Sequence, residues 1–317
     1  MVRFAVVPAV LLLSACSALP PVPSIDIDVA VPFALAEDFA DPDVLRVDGS
    51  YYAYATQGNG NNVQVAQSDD LVSWTLSETD ALPAVPSWST PGDTWAPDVS
   101  VVDGKYVMFM TTTHTASSQQ CIGVAVSTTP GGPFMPAGDT PIVCDIGEGG
   151  AIDPATFVDN DGSRYLLWKT DGNCCGLDTW ISIAPLTDDS LGLAGESTRL
   201  IRQDQAWEGK LVEAPSLVKR EGRYVLFYSA DDYNSLDYAI GYATSDSLLG
   251  PYVKTGAPLL DTDAADYAYY GPGGQDVVGD SIFFHSWNAD HTYRGLNVAA
   301  LQWQDDVPSV TLPRPKD

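Results

Sequence analysis

Basic residues are scarce in this chain of 317 residues. It contains 15 Lys and Arg against 42 Asp and Glu, which gives a formal net charge of -27. A field of that sign repels nucleic-acid phosphates and anionic lipid headgroups, so we expect no nucleic-acid partner. Apolar side chains still make up 45% of the chain, which is enough to bury a large core.

The N-terminus has an apolar run, but it is too short to cross a membrane. Residues 4–13 follow Arg3, whereas a membrane-spanning helix needs about 20 residues. The run ends in Leu13-Ser14-Ala15-Cys16, which resembles the processing site of bacterial lipoproteins. We predict a signal peptide over residues 1–16, a lipid-modified Cys16 and a Pro-rich tether over residues 17–30. The mature protein should lie outside the cytoplasm, with that anchor as its membrane contact. Cleavage as an ordinary signal peptide and secretion is the alternative.

Four cysteines remain after Cys16, and none of them forms a CxxC motif typical of zinc sites. Export favours disulfides. We favour a Cys121–Cys144 bridge together with a bridge between the adjacent Cys174 and Cys175. Pairing across the two groups is the open alternative.

Helical periodicity is absent from every segment of 12 or more residues, whereas one unit recurs five times. Each unit begins with a residue followed by Pro, continues through an apolar run and a turn Gly, and ends in an aromatic strand. The prolines lie 55, 57, 61 and 57 residues apart. They are Pro42, Pro97, Pro154, Pro215 and Pro272, and the turn glycines are Gly49, Gly104, Gly162, Gly222 and Gly279. This period is typical of β-propellers. We predict an all-β fold, a single five-bladed β-propeller over residues 31–317, acting as a monomer.

Three carboxylates occupy matching places in the repeats. Asp41 and Asp153 directly precede their prolines, and Glu213 stands two residues before Pro215. Because the innermost strand of each blade lines the central channel, these side chains should converge in one cavity and raise the pKa of at least one carboxyl. A one-residue shift on a regular strand turns a side chain away, so the offset of Glu213 implies either an irregular strand start or compensation by the longer Glu side chain. For a single Asp-Pro, ordinary turn chemistry is the competing interpretation.

The motifs resemble those of glycoside hydrolase family 43. They are EDFADPDVLRVDGSYYAYAT, WAPDVSVVDGKYVMFM, GGAIDPATFVDNDGSRYLLWK and VEAPSLVKREGRYVLFYS, and they cover roughly residues 36–304 with the later repeats. The resemblance implies an inverting glycosidase in which Asp41 is the general base, Asp153 tunes the acid and Glu213 is the general acid. Sister families that retain configuration carry Asn-Asp-Pro-Asn, Arg-Asp-Pro and Glu-Cys motifs, which this chain lacks.

Aromatic residues are the candidates for sugar binding. Trp95 matches a family position near the channel, and Trp168 and Tyr270 are further candidates; packing between blades is the alternative for each. In arabinan-active members of the family, a His at the position of His285 helps to hold an axial calcium, often through water. We therefore expect His285 on the inner strand of blade five and Ca²⁺ as the possible ion, with a buried core histidine as the competing interpretation.

The resemblance implies that the partner is a polysaccharide or oligosaccharide. We expect cleavage of α-L-arabinofuranosyl linkages in arabinan or arabinoxylan, because His285 and the WAPD motif look arabinanase-like. A β-xylosidase of the same family is the first alternative. A non-catalytic sugar-binding lipoprotein is the second, and the three intact carboxylates argue against it.

Overall fold

Twenty strands in the computed structural model form five four-stranded antiparallel sheets around one axis, which confirms the predicted five-bladed β-propeller. The structure describes residues 33–312. The predicted signal peptide, Cys16 and the tether lie outside these residues. Within residues 33–312, helical structure is confined to three short 3-10 turns, and no helix there is long and apolar enough to span a membrane.

The blades follow one another in chain order. In every blade the first strand is the innermost, and each later strand pairs with the one before it. Blade 1 contains β1 (Asp43–Val47), β2 (Ser50–Ala55), β3 (Gln64–Ser68) and β4 (Thr75–Leu76). Blade 2 contains β5 (Trp95–Val102), β6 (Lys105–Thr113), β7 (Gln120–Ser127) and β8 (Met135–Ala137). Blade 3 contains β9 (Ala151–Val158), β10 (Arg164–Thr170), β11 (Trp180–Pro185) and β12 (Thr198–Arg202). Blade 4 contains β13 (Val212–Arg220), β14 (Arg223–Ala230), β15 (Ala239–Ser245) and β16 (Val253–Lys254). Blade 5 contains β17 (Tyr270–Val278), β18 (Ser281–Trp287), β19 (Arg294–Gln304) and β20 (Val307–Thr311).

The repeated turn glycines connect the first two strands of each blade. In blade 1, Asp48 and Gly49 form a two-residue turn between the paired Val47 and Ser50, with φ of 50° and 96°. Two successive residues with positive φ match the twist of the flanking strands, and Asp-Gly adopts that turn at little cost. The recurrent Gly signal in the sequence is thus a hairpin signal.

Apolar side chains pack between neighbouring sheets and close the ring. Phe109 and Leu166 pack between blades 2 and 3, and the cluster of Phe39, Phe283 and Leu296 joins blade 5 to the start of blade 1. A bridge between Leu35 and Leu296 adds the N-terminal segment to blade 5. The blades therefore form one continuous circle of cores rather than two separate domains.

Each innermost strand turns at the axis through a residue with positive φ. These residues include Asp41, Ala96, Asp153 and Ala214, with φ between 42° and 53°, and each precedes a proline. The pairing register shifts at this point in blades 2, 3 and 4. This confirms the irregular strand start, one of the two explanations for the offset of Glu213.

Blade 5 departs from the predicted register. The residues that take the axial place are Gly274, Gln275 and Asp276, three positions after the predicted Gly271-Pro272. The strand has two register shifts, between Tyr270 and Gly273 and between Gly273 and Asp276. The prediction that Pro272 marks the fifth repeat at the axis is therefore wrong, because the extra residues displace the repeat along the strand.

The disulfides match the favoured pairing. Cys121 on β7 is bonded to Cys144, which follows β8, and Cys174 is bonded to Cys175 in the 3-10 turn Gly172–Cys175. The first bridge is reinforced by two backbone hydrogen bonds: the N–H of Ile122 donates to Val143 O, and the N–H of Ile142 donates to Ile122 O. It links elements separated by 23 residues, so it constrains the unfolded chain.

Three aspartates join neighbouring blades around the axis; we call them the axial aspartates Asp43, Asp98 and Asp276. Each accepts a backbone N–H from the next blade: Asp43 from Val99 (2.8 Å), Asp98 from Thr156 (2.9 Å) and Asp276 from Val44 (3.0 Å). They border a cavity of about 40 Å³. Asp98 thus acts as a structural acceptor that joins blade 2 to blade 3.

Burial raises the pKa of all three axial aspartates. Burial raises the pKa of Asp98 to about 7 despite its hydrogen bond from Thr156, and it raises the pKa of Asp43 well above the ordinary value, assisted by the charge of Asp98. The pKa of Asp276 is also raised by burial. In the folded protein these carboxyls therefore keep their protons at a pH where the unfolded chain has lost them.

We predict that, with divalent cations chelated, the protein resists heat better at pH 5 than at pH 8. The stabilisation from a carboxyl with a raised folded-state pKa is complete below its unfolded pKa and is lost as pH rises through the folded value, here from about 4 to about 7 for Asp98. Asp98→Asn keeps the acceptor for Thr156 and removes the titration. The change in Tm that this substitution causes should be at least about 2 °C more positive at pH 8 than at pH 5. Parallel Tm-against-pH curves for the two proteins, measured by calorimetry, would contradict this assignment.

Candidate active site

Asp41, Asp153 and Glu213 meet in one pocket of about 820 Å³ above the axial aspartates. They come from blades 1, 3 and 4, so blade 1 faces the other two across the axis. The positive φ of Asp41 and Asp153 breaks the alternation of a regular strand, and Ile152 and Asp153 both line the pocket as a result. The structure thus brings together the three carboxylates that the repeats align.

Asp41 is held on several sides. Its Oδ2 accepts the Thr56 hydroxyl at 2.6 Å, and its backbone N–H donates to His285 Nδ1 at 3.0 Å. A guanidinium nitrogen of Arg294 lies 4.0 Å from Oδ1. These contacts fix Asp41 at the pocket wall.

Glu213 accepts two hydrogen bonds, one at each oxygen. The ammonium group of Lys169 donates to Oε2 at 3.0 Å, and the Tyr238 hydroxyl donates to Oε1 at 2.8 Å. Lys169 is 1% exposed and also contacts Asp171 at 3.3 Å. A buried ammonium group between carboxylates fixes their geometry, because it is costly to leave any of them unpaired.

Asp153 of blade 3 lies beside Glu213 of blade 4 and is bonded to the backbone next to it. Its Oδ2 accepts the N–H of Ala214, the residue after Glu213, at 2.9 Å. Burial, followed by the charge of Glu213, raises the pKa of Asp153 to about 8, although Lys169 opposes the shift. The pair therefore retains a proton at neutral pH. Burial disfavours the charge of Lys169, but the carboxylates around it outweigh that effect and raise its pKa.

His285 lies on β18, the second strand of blade 5, so its predicted place on the innermost strand is wrong. Its ring is fully buried and stacks on Tyr238 with centroids 5.9 Å apart. Burial, with Arg294 nearby, lowers the pKa of His285 well below its ordinary value, so the ring is neutral. Its Nδ1 receives the Asp41 N–H, and its Nε2 has no hydrogen-bond partner among residues 33–312. Gly274 allows this approach, because a Cβ there would meet the ring at 2.5 Å.

Of the three aromatic residues predicted to bind sugar, one lines the pocket and two do not. Trp95 is half-buried and lines the pocket next to Asp41 and Asp153. Trp168 is 1% exposed, packs in the core between blades 2 and 3, and donates its indole N–H to Asp145. Its assignment to substrate binding is corrected to inter-blade packing. Tyr270 begins β17 opposite Trp287 and is not among the residues that line the pocket.

Several pocket residues were not anticipated from the sequence. The sequence did contain a signal for Lys169, because a lysine inside the largely apolar strand RYLLWKT must have a partner of opposite charge if it is buried. Tyr238 and Arg294 had none, since their approach to Glu213 and Asp41 depends on how the loops of blades 4 and 5 fold over the axis. The rest of the wall includes Asp171, Asn173, Cys174, Lys210, Asp231, Asp232 and Tyr233.

A second group of metal-ligating residue types lies in blade 2. His114 approaches the sulfur atoms of Cys121 and Cys144. Those sulfur atoms form a disulfide and are not thiolates, so they do not offer the ligands that zinc requires. The group is consistent with the preference for disulfides over a zinc site.

The chemistry available in the pocket is proton transfer at two opposed positions. A carboxylate on blade 1 faces a proton-holding pair of carboxyls from blades 3 and 4. An acid and a base on opposite sides of a bound molecule are what glycoside hydrolysis requires. The arrangement supports this chemistry on a glycan that enters the open pocket.

The comparisons with known proteins agree with this geometry. Residues 33–308 match the model of glycosyl hydrolases family 43. An extracellular endo-alpha-(1->5)-L-arabinanase of Bacillus subtilis is 28% identical over 85% of this chain and 86% of its own length.

Two solved structures extend the likeness to the fold. A thermostable family-43 glycoside hydrolase superimposes with a TM-score of 0.81 at 29% identity, over 91% of this chain and 98% of its own. An endo-1,4-beta-xylanase from Bacteroides thetaiotaomicron gives 0.74 at 34% identity, over 88% and 96%. The match to the family model covers most of the chain: the protein belongs to glycosyl hydrolases family 43 and is a glycoside hydrolase.

Proposed function

We propose that this glycosidase cleaves α-L-arabinofuranosyl linkages in arabinan or arabinoxylan with inversion at the anomeric carbon. The observation that carries the proposal is the placement of Asp41 across the pocket from the coupled Asp153–Glu213 pair. The choice of sugar is supported by the Bacillus subtilis relative, which is named an arabinanase. A xylan-type linkage is the second candidate, because the Bacteroides structure at 34% identity is named a xylanase.

Asp41 is the general base in this proposal, and Glu213 is the general acid. A water molecule beside Asp41 gives a proton to its carboxylate while the water oxygen bonds to the anomeric carbon. The bond from that carbon to the leaving oxygen breaks on the opposite face, and the oxygen takes a proton from Glu213. Asp153 helps to keep that proton on the pair, since two adjacent buried carboxyls resist a second ionisation.

Lys169 and Tyr238 position the acid. Each contacts a different oxygen of Glu213, so the plane of the carboxyl group is fixed before substrate arrives. For Asp41, the Thr56 hydroxyl donates to the carboxylate, and the backbone N–H donates to His285 Nδ1 and so fixes the main chain at this residue. Holding the reacting groups in place lowers the barrier by removing the entropy of orientation.

The substrate and the stereochemistry are tested together. Residues 17–317 should hydrolyse nitrophenyl α-L-arabinofuranoside and debranched arabinan faster than nitrophenyl β-D-xyloside and xylan. Proton NMR in the first minutes should show the inverted anomer as the initial product, because a single displacement by water inverts the carbon. Faster xyloside cleavage would select the second candidate, and a retained anomer would overturn the acid and base assignment.

Removal of the acid and removal of the base should have different consequences. Glu213→Ala should lose at least about 100-fold in kcat/KM on arabinan, because a sugar leaving group needs protonation. Its loss on nitrophenyl arabinofuranoside should be much smaller, since nitrophenolate leaves without a proton. Asp41→Ala should lose activity on both. Glu78→Gln, at an exposed carboxylate that does not line the pocket, serves as the control. Equal losses on the two substrates for Glu213→Ala would argue against its role.

We also propose a calcium ion at the axial cavity. The three axial aspartates supply the oxygen ligands that calcium prefers, and the buried Oδ1 of Asp98 has no hydrogen-bond partner within residues 33–312. His285 does not line this cavity, so any contribution from it passes through water. The ion would offset the mutual repulsion of the carboxylates.

Chelation should therefore lower Tm at pH 7 by several degrees, and calcium should restore it, because an ion that binds the folded state alone stabilises it. Sodium at equal ionic strength is the control for screening. Calcium should rescue Asp98→Asn less than the parent protein. A Tm that responds to neither chelator nor calcium would contradict the proposal, which calorimetry can decide.

Outside the described residues, we propose export and lipid attachment at Cys16, supported by the LSAC sequence and by the extracellular Bacillus subtilis relative. The mass of the mature N-terminal peptide distinguishes an acylated Cys16 from cleavage beyond it.

A further inference from the structure

The wall of the pocket contains a disulfide between adjacent residues. The 3-10 turn Gly172–Cys175 connects β10 to β11, and its Asn173 and Cys174 line the pocket together with Asp171. Both bridged cysteines are exposed, whereas Cys121 of the other bridge is fully buried. A bond between neighbours closes no long loop and so constrains the unfolded chain far less than the Cys121–Cys144 bridge. General stability therefore does not account for it.

The turn is held firmly against the blade. The Asp171 N–H donates to Gly150 O at 3.0 Å, and Leu177 closes the turn by donating to Gly172 O at 2.9 Å. Gly149 lies under the turn with φ of 92°, and a Cβ there would come within 2.5 Å of the Asp171 carbonyl. The turn thus holds Cys174 at the pocket wall in one arrangement rather than on a loose loop.

The position of the turn identifies the part of a glycan that it would contact. It belongs to blade 3 and is tied to the acid through the chain of contacts from Asp171 to Lys169 to Glu213. Asp41 stands on blade 1, across the axis. In an inverting displacement the leaving group departs on the side of the acid, away from the base. The turn therefore flanks the leaving-group half of the pocket.

We propose that the Cys174–Cys175 disulfide forms the wall of a subsite for the sugar ring of the leaving group. This rests on the proposed function and specifies its substrate contacts. The two sulfur atoms are apolar and polarisable, which suits the C–H face of a pentose ring, while the amide of Asn173 offers hydrogen bonds to hydroxyls at its edge. Because the bridge fixes both side chains, little side-chain entropy is lost when a sugar binds.

The test compares leaving groups with and without a sugar. In Cys174→Ser/Cys175→Ser, the KM for arabinotriose should rise about fivefold, equivalent to about 1 kcal/mol, with kcat nearly unchanged. The KM for α-L-arabinofuranosyl fluoride should stay within about twofold, because fluoride fills no subsite. Native parent protein treated with a phosphine should show the same change, as the phosphine and water convert the exposed disulfide to two thiols and a phosphine oxide. Peptide mapping would verify that Cys121–Cys144 remains intact.

Cys121→Ala/Cys144→Ala is the matched control and should lower Tm while leaving both KM values unchanged. An unchanged KM for arabinotriose in the Cys174→Ser/Cys175→Ser protein overturns the subsite. So does a fall in kcat at constant KM, which would mean that the bridge acts only through Asp171 and the acid. If the parent protein cleaves xylosides instead, the arabinoside assignment fails, and xylotriose against xylosyl fluoride tests the subsite independently. Inactivity on both sugar series would overturn the two proposals together.

Discussion

Five strands reach one axis in this protein, and each turns there through a residue with positive φ. A regular strand directs alternate side chains to opposite faces, so it could not present neighbouring residues to the same cavity. The turn at Asp153 lets that residue and Ile152 both line the pocket. The turn at Ala214 directs the preceding residue, Glu213, into the same pocket. The backbone irregularity at the axis is thus what places the reactive groups.

The same geometry crowds carboxyl groups into a low-dielectric space. At the bottom of the channel, these carboxyl groups accept hydrogen bonds from backbone N–H groups of the next blade, and the bonds also link neighbouring blades. In the pocket above, it uses a buried ammonium group, Lys169, and a buried hydroxyl, Tyr238. The raised pKa of Asp153 follows from this crowding, and so does the capacity to deliver a proton at neutral pH. The crowding of carboxyl groups at the axis therefore accounts both for the hydrogen bonds between blades and for the raised pKa of Asp153.

The outer wall of the pocket is built by a different part of the molecule. The loops that follow the second strands of blades 3 and 4 contribute Asn173, Cys174 and Tyr233 to the pocket wall. These loops surround a fixed set of carboxylates, so they can change the glycan that fits without altering the reacting groups. The exposed Cys174–Cys175 disulfide belongs to these loops, so it shapes the wall of the pocket and not the axis.

The sequence by itself determined the number of blades, the hairpin turns and the identity of the three carboxylates. Those features repeat at a regular interval in the sequence, because every blade packs in the same way and needs the same pattern of residues. Tertiary structure decided what depends on contacts between blades. Trp168 faces a neighbouring sheet rather than the pocket, the axial place in blade 5 falls at Gly274 rather than at Pro272, and His285 reaches Asp41 from the second strand. Lys169 meets Glu213 only where blade 3 packs beside blade 4, and Tyr238 reaches it from the loop between β14 and β15. No pattern within a single strand records which side chain it will meet in this way.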